Sequence, residues 1–117
     1  MNKVPDSLRQ TDEVAALLPD AVQLLEKDFQ TSGIDVQLSG KIFGDVFDLR
    51  EEIARLVQQT GGPGSESFYR LLYRADIPES KTREALSSSP ASSFETVIAE
   101  LLIIRALQRA FYRQQYR

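Results

Sequence analysis

The sequence contains neither cysteine nor histidine. The lack of cysteine excludes disulfide bonds, thiolate metal sites and cysteine nucleophiles within these 117 residues. The lack of histidine removes the commonest general base, the commonest metal ligand and the side chain that most often changes its charge near neutral pH. Much of the chemistry by which small enzymes and metal-binding domains are recognised is therefore closed to this chain.

Signals for secretion and membrane insertion are also missing. The first six residues lack the apolar segment of a secretion signal, and no uncharged apolar run approaches the ~18 residues that cross a bilayer. We therefore expect a cytoplasmic protein without a transmembrane segment. The length is that of one domain, which we place over residues 1–117, with residues 1–10 loosely ordered because they show little periodicity.

Charge is distributed unevenly along the chain, whose net charge is −3. Residues 1–62 hold eleven acids and six bases (−5), whereas residues 63–117 hold six acids and eight bases (+2). No acid follows Glu100. Such asymmetry indicates either an anionic partner or a fold in which one part of the chain neutralises the other.

The first half of the chain predicts three helices. Thr11 and the two acids after it form a helix start, and Pro19 predicts a break or kink at Leu18-Pro19, with a second helix running from Pro19 to about Thr31. Residues 34–38 alternate apolar and polar side chains, which is the period of a strand. No partner strand is evident, so we interpret them as an extended linker.

The third helix is predicted by an apolar stripe at helical spacing that begins at Ile42 and ends at the turn of residues 61–64. The stripe consists of Ile42, Val46, Leu49, Ile53 and Leu56, widened by Phe43, Phe47 and Val57. Ser65 then predicts the cap of a helix that buries Phe68, Leu71, Leu72 and Ala75 and is ended by the Ile77-Pro78 step.

The last segments predict a short helix over residues 78–86, a loop over 87–93 and a long final helix over about 93–116. Ser92 and Glu95 fit a capping box at its start. Its apolar residues point in almost every direction, and a helix apolar all round is normally enclosed by its neighbours. We therefore predict an all-α fold, a compact bundle of four to six helices with a long, central C-terminal helix.

Four arginines, spaced four residues apart, follow Glu100 and form one slowly winding stripe on the final helix: Arg105, Arg109, Arg113 and Arg117. The stripe is suited to phosphate, an acidic partner or an anionic membrane surface. The plainer interpretation is a solvated face or pairing with acids of the N-terminal half, such as Asp20, Glu26 and Asp28. Charge runs usually just face water, so the plainer interpretation is favoured.

A second feature is a heptapeptide that occurs twice with five of seven positions identical, at residues 68–74 and 111–117. Tyrosine and arginine are favoured at the centres of protein interfaces, and they also stack on bases and bind phosphates in single-stranded nucleic acid. A boundary of the core is the plainer alternative. Together with the arginine stripe, the repeated segments give a candidate interaction surface: Tyr69, Arg70, Tyr73, Arg74, Arg105, Arg109, Tyr112, Arg113, Tyr116 and Arg117.

A third cluster comprises the carboxylates Asp45, Asp48, Glu51 and Glu52. They lack the histidines of a di-iron bundle and the glycine-bearing loop of a calcium site, so we assign them to helix ion pairs and predict no metal, cofactor or catalytic residue.

The resulting hypothesis is a non-enzymatic helical protein-interaction module, self-association being one form of it. The first alternative is binding of nucleic acid or an anionic surface through the arginine stripe, which the acidic pI disfavours. The second is a small enzyme with a site made only of carboxylates.

Overall fold

The computed structural model describes residues 11–41 and 43–115, which form five α-helices and no strand. The predicted all-α bundle is therefore confirmed for these residues, whereas the expected loose order of residues 1–10 concerns residues outside the described ones. The helices are α1 (Asp12–Thr31), α2 (Val46–Gln59), α3 (Glu66–Arg74), α4 (Glu79–Ser88) and α5 (Phe94–Gln115).

The predicted break before Pro19 is wrong, because α1 continues through this residue. Thr11 caps the helix as expected, its hydroxyl accepting a hydrogen bond from the Val14 amide at 3.1 Å. Pro19 and Ala15 are both exposed. Because Pro19 has no N–H group, the Ala15 carbonyl lacks its usual helical hydrogen-bond donor and can bind water instead. Buried residues on both sides of Pro19 belong to one core, and their burial holds the helix together.

Residues 34–38, after α1, belong to neither a helix nor a strand, in agreement with the prediction of a linker there. A side chain of α1 holds its end in place: a Glu26 carboxylate oxygen accepts hydrogen bonds from the Leu38 and Ser39 amides at 2.7 and 3.1 Å. These donors stabilise the charged form and lower the pKa of Glu26. Leu38 is thereby placed in the core.

The third predicted helix begins later than its apolar stripe indicated. α2 starts at Val46 because the Asp45 side chain accepts from the Asp48 amide at 2.9 Å and caps the helix there. Phe43 therefore lies in the preceding loop, and Phe47 is an exposed aromatic residue rather than part of the buried stripe. The expectation for Ile42 falls on a residue outside the described ones.

The turn of residues 61–64 ends α2 as predicted, with positive φ at its three glycines. Ser65 then caps α3, accepting from the Phe68 amide at 3.1 Å, and the four residues predicted to be buried there are buried. The short helix α4 runs two residues further than predicted. The cap of α5 is Ser93 rather than Ser92, since the Ser93 hydroxyl accepts from the Thr96 amide.

The C-terminal helix is long and central, as predicted. α5 packs against α1, α2 and α4, and its Ile98, Leu102 and Ile103 are among the most deeply buried side chains. Twenty-two helical residues span about 33 Å at 1.5 Å per residue, close to the 36 Å longest dimension of the molecule. The last turn accordingly reaches the edge, and residues 111–115 are all exposed. No helix in the described ranges is long and apolar enough to span a membrane.

Candidate functional site

The arginine stripe of α5 is partly neutralised within the chain. Arg105 forms an ion pair with Asp76, in the loop between α3 and α4. Arg109 reaches across to α1, where its Nη1 donates to a carboxylate oxygen of Asp28 at 2.7 Å. Two of the four stripe arginines therefore act as internal partners, one of them with an acid that the sequence singled out.

Asp28 of α1 lies beside arginines of both α3 and α5. Its side chain is almost completely buried, and this desolvation raises the pKa of Asp28 although the hydrogen bond from Arg109 opposes the shift. The positive charge of Arg74, at the end of α3, acts on the same carboxylate. Arg74, from the heptapeptide copy on α3, and Arg109, from the arginine stripe of α5, thus both act on one buried acid.

Arg113, the third arginine of the stripe, faces solvent. Arg113 is exposed in the last turn of α5, and its neighbour Gln114 donates to Asp20 of α1 at 3.4 Å. Tyr116 and Arg117 lie outside the described residues, so their predicted place on the surface remains a prediction.

The copy of the heptapeptide on α3 is divided between two environments. Arg70 pairs with Glu66 of the same helix at 2.6 Å, and the Tyr69 ring packs edge-on against Phe68 with the centroids 5.5 Å apart. Tyr73 is 82% exposed and lines a surface depression with Arg74 and residues 76–78. Only the second half of this copy therefore adjoins the surface around α5.

Two shallow grooves adjoin each other along α5 and share Ile104, Arg105 and Gln108 as lining residues; we call the two together the α5 trough. The first groove, of about 340 Å³, is lined by Asp76, Ile77, Pro78, Lys81, Leu101, Ile104, Arg105 and Gln108. The second, of about 460 Å³, is lined by Glu13, Leu17, Ile104, Arg105, Leu107, Gln108, Phe111 and Tyr112.

The floor of the trough corrects the expectation that neighbours enclose α5 on every side. Leu101 and Ile104 are only half-buried, and Phe111 and Tyr112 remain 41% and 57% exposed. These residues share the helix face opposite the core, since Ile104 follows Leu101 by three residues and Phe111 follows Ile104 by seven, with Tyr112 beside it. One apolar face of an otherwise enclosed helix is therefore open to solvent.

Three carboxylates of the predicted cluster, Asp45, Asp48 and Glu52, have local partners, and Glu51 is exposed. Asp45 caps the helix, and an Asp48 carboxylate oxygen accepts from the Gly44 amide at 3.2 Å. Glu52 binds Arg55 and Lys41, whose hydrogen bonds lower the pKa of Glu52 to about 2. The predicted pairs of Lys41 with Asp45 and of Arg55 with Glu51 are thus replaced by two pairs with Glu52. Among the described residues, no group of three carboxylates is placed to hold a metal ion.

Sequence reasoning missed a buried ion pair between α2 and α5. The Arg50 Nη1 donates to a Glu100 carboxylate oxygen at 2.7 Å, and the guanidinium lies 4.7 Å from the centroid of the Phe47 ring. A signal existed, since Arg50 falls at helical spacing within the apolar stripe of α2 and Glu100 falls among the apolar residues of α5. One charge of each sign within two buried stripes indicates such a pair.

No protein-family model, curated protein or solved structure matches this chain.

Proposed function

We propose that this protein is a non-enzymatic interaction module that binds an amphipathic helix of a protein partner in the α5 trough. The observation that carries the proposal is the open apolar face of α5. Leu101, Ile104, Phe111 and Tyr112 recur at the spacing by which a helix presents one face, and the trough around them is apolar at its floor. Helix-in-groove recognition uses such anchors at intervals of three, four and seven residues.

The composition of the trough supports a protein partner. Two adjacent exposed aromatic rings stand at one end, where Phe111 and Tyr112 pack with their centroids 6.1 Å apart. Exposed aromatic side chains beside half-buried aliphatic ones provide the apolar centre of an interface, while Lys81, Glu13 and the Arg105–Asp76 pair provide a polar rim.

The experiment compares purified wild-type chain with Ile104→Glu and Tyr112→Glu, which place a charge on the floor of the trough. The matched control is Tyr69→Glu, since Tyr69 is 47% exposed but lines neither groove. Each variant is used to capture partners from cells of the source organism, and the captured protein is then purified and titrated against the labelled chain by NMR.

The proposal requires a purified partner that binds wild type and Tyr69→Glu, shifts the resonances of residues 101–112 and loses about tenfold or more in affinity with Tyr112→Glu. Circular dichroism checks that each variant keeps its helices. Partners that bind all four proteins equally, or resonance shifts confined to α2 and α3, would refute the trough as the binding site.

Binding of nucleic acid or an anionic surface has weaker support from the geometry. Arg105 and Arg109 already neutralise Asp76 and Asp28, which leaves Arg113 as the exposed cation of the stripe among the described residues. Gel shifts with labelled RNA and DNA at low salt test this alternative, because affinity carried by phosphate contacts falls steeply as salt is added. A salt-sensitive shift abolished by Arg113→Gln would favour it over the trough.

The cytoplasm is the location that we propose for this interaction. Fractionation of source cells with an antibody to the chain tests it, and recovery in a membrane or secreted fraction would contradict it. A carboxylate-only enzyme gains little support from the acids near α2, because Asp45 caps the helix, Asp48 accepts from a backbone amide and Glu52 is held in two ion pairs.

A further inference from the structure

The open face of α5 has the spacing of a coiled-coil seam. Leu101, Gln108 and Gln115 recur every seven residues, and Ile104 and Phe111 fall three residues after the first two of them. Three of these five positions are apolar, namely Leu101, Ile104 and Phe111, and apolar side chains at this 3–4 spacing pack into the corresponding gaps of a second helix. The face is therefore shaped for a partner helix that runs nearly parallel or antiparallel to α5 itself.

We infer that the partner helix is the α5 of a second copy of this chain, packed antiparallel to the first. This inference rests on the proposed function and names the partner at the same trough. The charges at the two ends of the trough support a second copy as the partner. The groove near Leu101 is bordered by Lys81, whereas the groove near Phe111 is bordered by Glu13.

An antiparallel arrangement brings the Lys81 end of each copy against the Glu13 end of the other. A parallel arrangement would set Lys81 against Lys81 and Glu13 against Glu13, and like charges placed together suppress that orientation. The Arg105 charge at the centre is already matched by Asp76, so it does not oppose either approach. The trough is thus complementary to itself only when the second copy is reversed, as in a two-fold symmetric dimer.

The apolar contacts fix the register of this arrangement. Reversal about the middle of the trough places Leu101 of one copy opposite Phe111 of the other, and Ile104 opposite Gln108. Both Leu101–Phe111 pairs at the ends are then covered, and each Gln108 lies within the seam, where a polar side chain specifies the register of two helices at a cost in stability. The seam covers about 15 Å of helix, so we expect a small interface with a Kd on the order of 10 μM.

Cysteine cross-linking tests this geometry directly, because the natural chain has no cysteine. Leu101→Cys and Phe111→Cys are prepared as full-length chains, oxidised separately and then oxidised as a mixture. The inference predicts a disulfide-linked dimer in the mixture and little in either variant alone, since equal positions lie about 15 Å apart in the antiparallel register, beyond the reach of a disulfide. Gln58→Cys, exposed on α2, is the off-face control.

Sedimentation equilibrium provides the second measurement, on wild-type, Tyr112→Glu and Tyr69→Glu chains. Tyr112→Glu is expected to weaken dimerisation about tenfold, whereas Tyr69→Glu leaves it unchanged. Cross-links of equal yield in the single variants and the mixture would overturn the antiparallel register, and a wild-type chain that stays monomeric at about 100 μM would overturn the dimer.

The two proposals fail in different ways. A monomeric chain whose trough variants lose a purified partner of another kind overturns the second copy and leaves the interaction module standing. A monomeric chain for which no partner responds to Ile104→Glu or Tyr112→Glu overturns both.

Discussion

Arg50 is a cation in the middle of an apolar core, with only 1% of its surface exposed. Glu100 balances its charge through one nitrogen and the Phe47 ring covers one face, but the buried Nε has no hydrogen-bond partner among the described residues. Transfer of such a pair from water costs about as much as the pair returns, whereas removal of one partner leaves an uncompensated charge. The pair therefore fixes how α2 is placed on α5 more than it adds to stability.

Replacement of one partner of this pair should destabilise the fold much more than replacement of both. Glu100→Ala leaves the Arg50 guanidinium buried without a counter-charge and should lower the free energy of unfolding by about 3 kcal/mol. The double variant Arg50→Met, Glu100→Leu should return to within about 1 kcal/mol of wild type. Urea unfolding followed by circular dichroism measures both. Equal losses in the two variants would show that the ion pair itself stabilises the fold.

Carboxylates that accept several hydrogen bonds have lowered pKa values in this protein, whereas the pKa of a desolvated carboxylate is raised. Hydrogen bonds from Arg55 and Lys41 lower the pKa of Glu52 to about 2, and the amides of Ser39 and Leu38 lower the pKa of Glu26. Desolvation raises the pKa of Asp28 instead. The first two acids bind protons more weakly in the folded chain than in the unfolded chain, and Asp28 binds them more strongly.

The pH dependence of stability should follow these signs. The contribution of Glu52 is complete above its unfolded pKa, close to 4.5, and is lost as the pH falls towards about 2. Glu52→Gln should therefore lose less stability than wild type between pH 5 and pH 2. Asp28→Asn is the contrasting variant, because Asp28 contributes stability at low pH that is lost as the pH rises through its raised pKa. Thermal melts across this range measure how the stability of each variant depends on pH. Parallel curves for wild type and Glu52→Gln would refute the contribution assigned to Glu52.

The continuity of α1 shows how packing overrides a local signal. Pro19 lacks an N–H group, and its ring disfavours the preceding turn, yet the helix passes through it because Leu17 and Ala21 lie in the same core. Pro19→Ala restores the missing hydrogen bond to Ala15 at an exposed position. We expect a gain of about 1 to 3 kcal/mol in the free energy of unfolding. An unchanged or lowered stability in urea would indicate that the core depends on the bend that proline imposes.

At the scale of elements, the sequence was most informative where a single residue decides the outcome. Thr11 and Ser65 cap the helices predicted to follow them, and the glycines of residues 61–64 end α2. Prediction failed where two signals competed. The stripe beginning at Ile42 indicated an earlier start of α2, and the Asp45 cap, which needs no periodicity, determined the actual one.

At the scale of the whole molecule, the asymmetric charge of the sequence is resolved partly within the fold. Asp28, from the acidic half, pairs with Arg109 of α5, whereas the Arg50–Glu100 pair joins a base of the acidic half to an acid of the other half and leaves the asymmetry in place. Composition left internal neutralisation and an anionic partner as alternatives. Only the tertiary arrangement shows which acid the arginine stripe meets, because the Asp28–Arg109 contact joins residues 81 positions apart.

The candidate interaction surface was only partly predictable from the sequence, because it too depends on the tertiary arrangement. Arg105 and Tyr112 line the α5 trough and Tyr73 and Arg74 adjoin it, whereas Tyr69 and Arg70 do not line it. Residue type identified exposed aromatic and cationic side chains. The trough itself depends on where α1 and the loop before α4 meet α5, which neither repeat nor periodicity specifies.

A dimer formed through the trough would make thermal stability depend on concentration. A partner that binds only the folded chain stabilises it in proportion to the logarithm of its concentration relative to Kd. If Kd is on the order of 10 μM, raising the protein from about 1 to 100 μM should add about 1 kcal/mol and raise Tm by about 4 °C in a domain of this size. Tyr112→Glu should melt at nearly the same temperature across this range, while Tyr69→Glu keeps the wild-type dependence. A wild-type Tm that does not change with concentration would mean that the open face of α5 is not covered by a second copy.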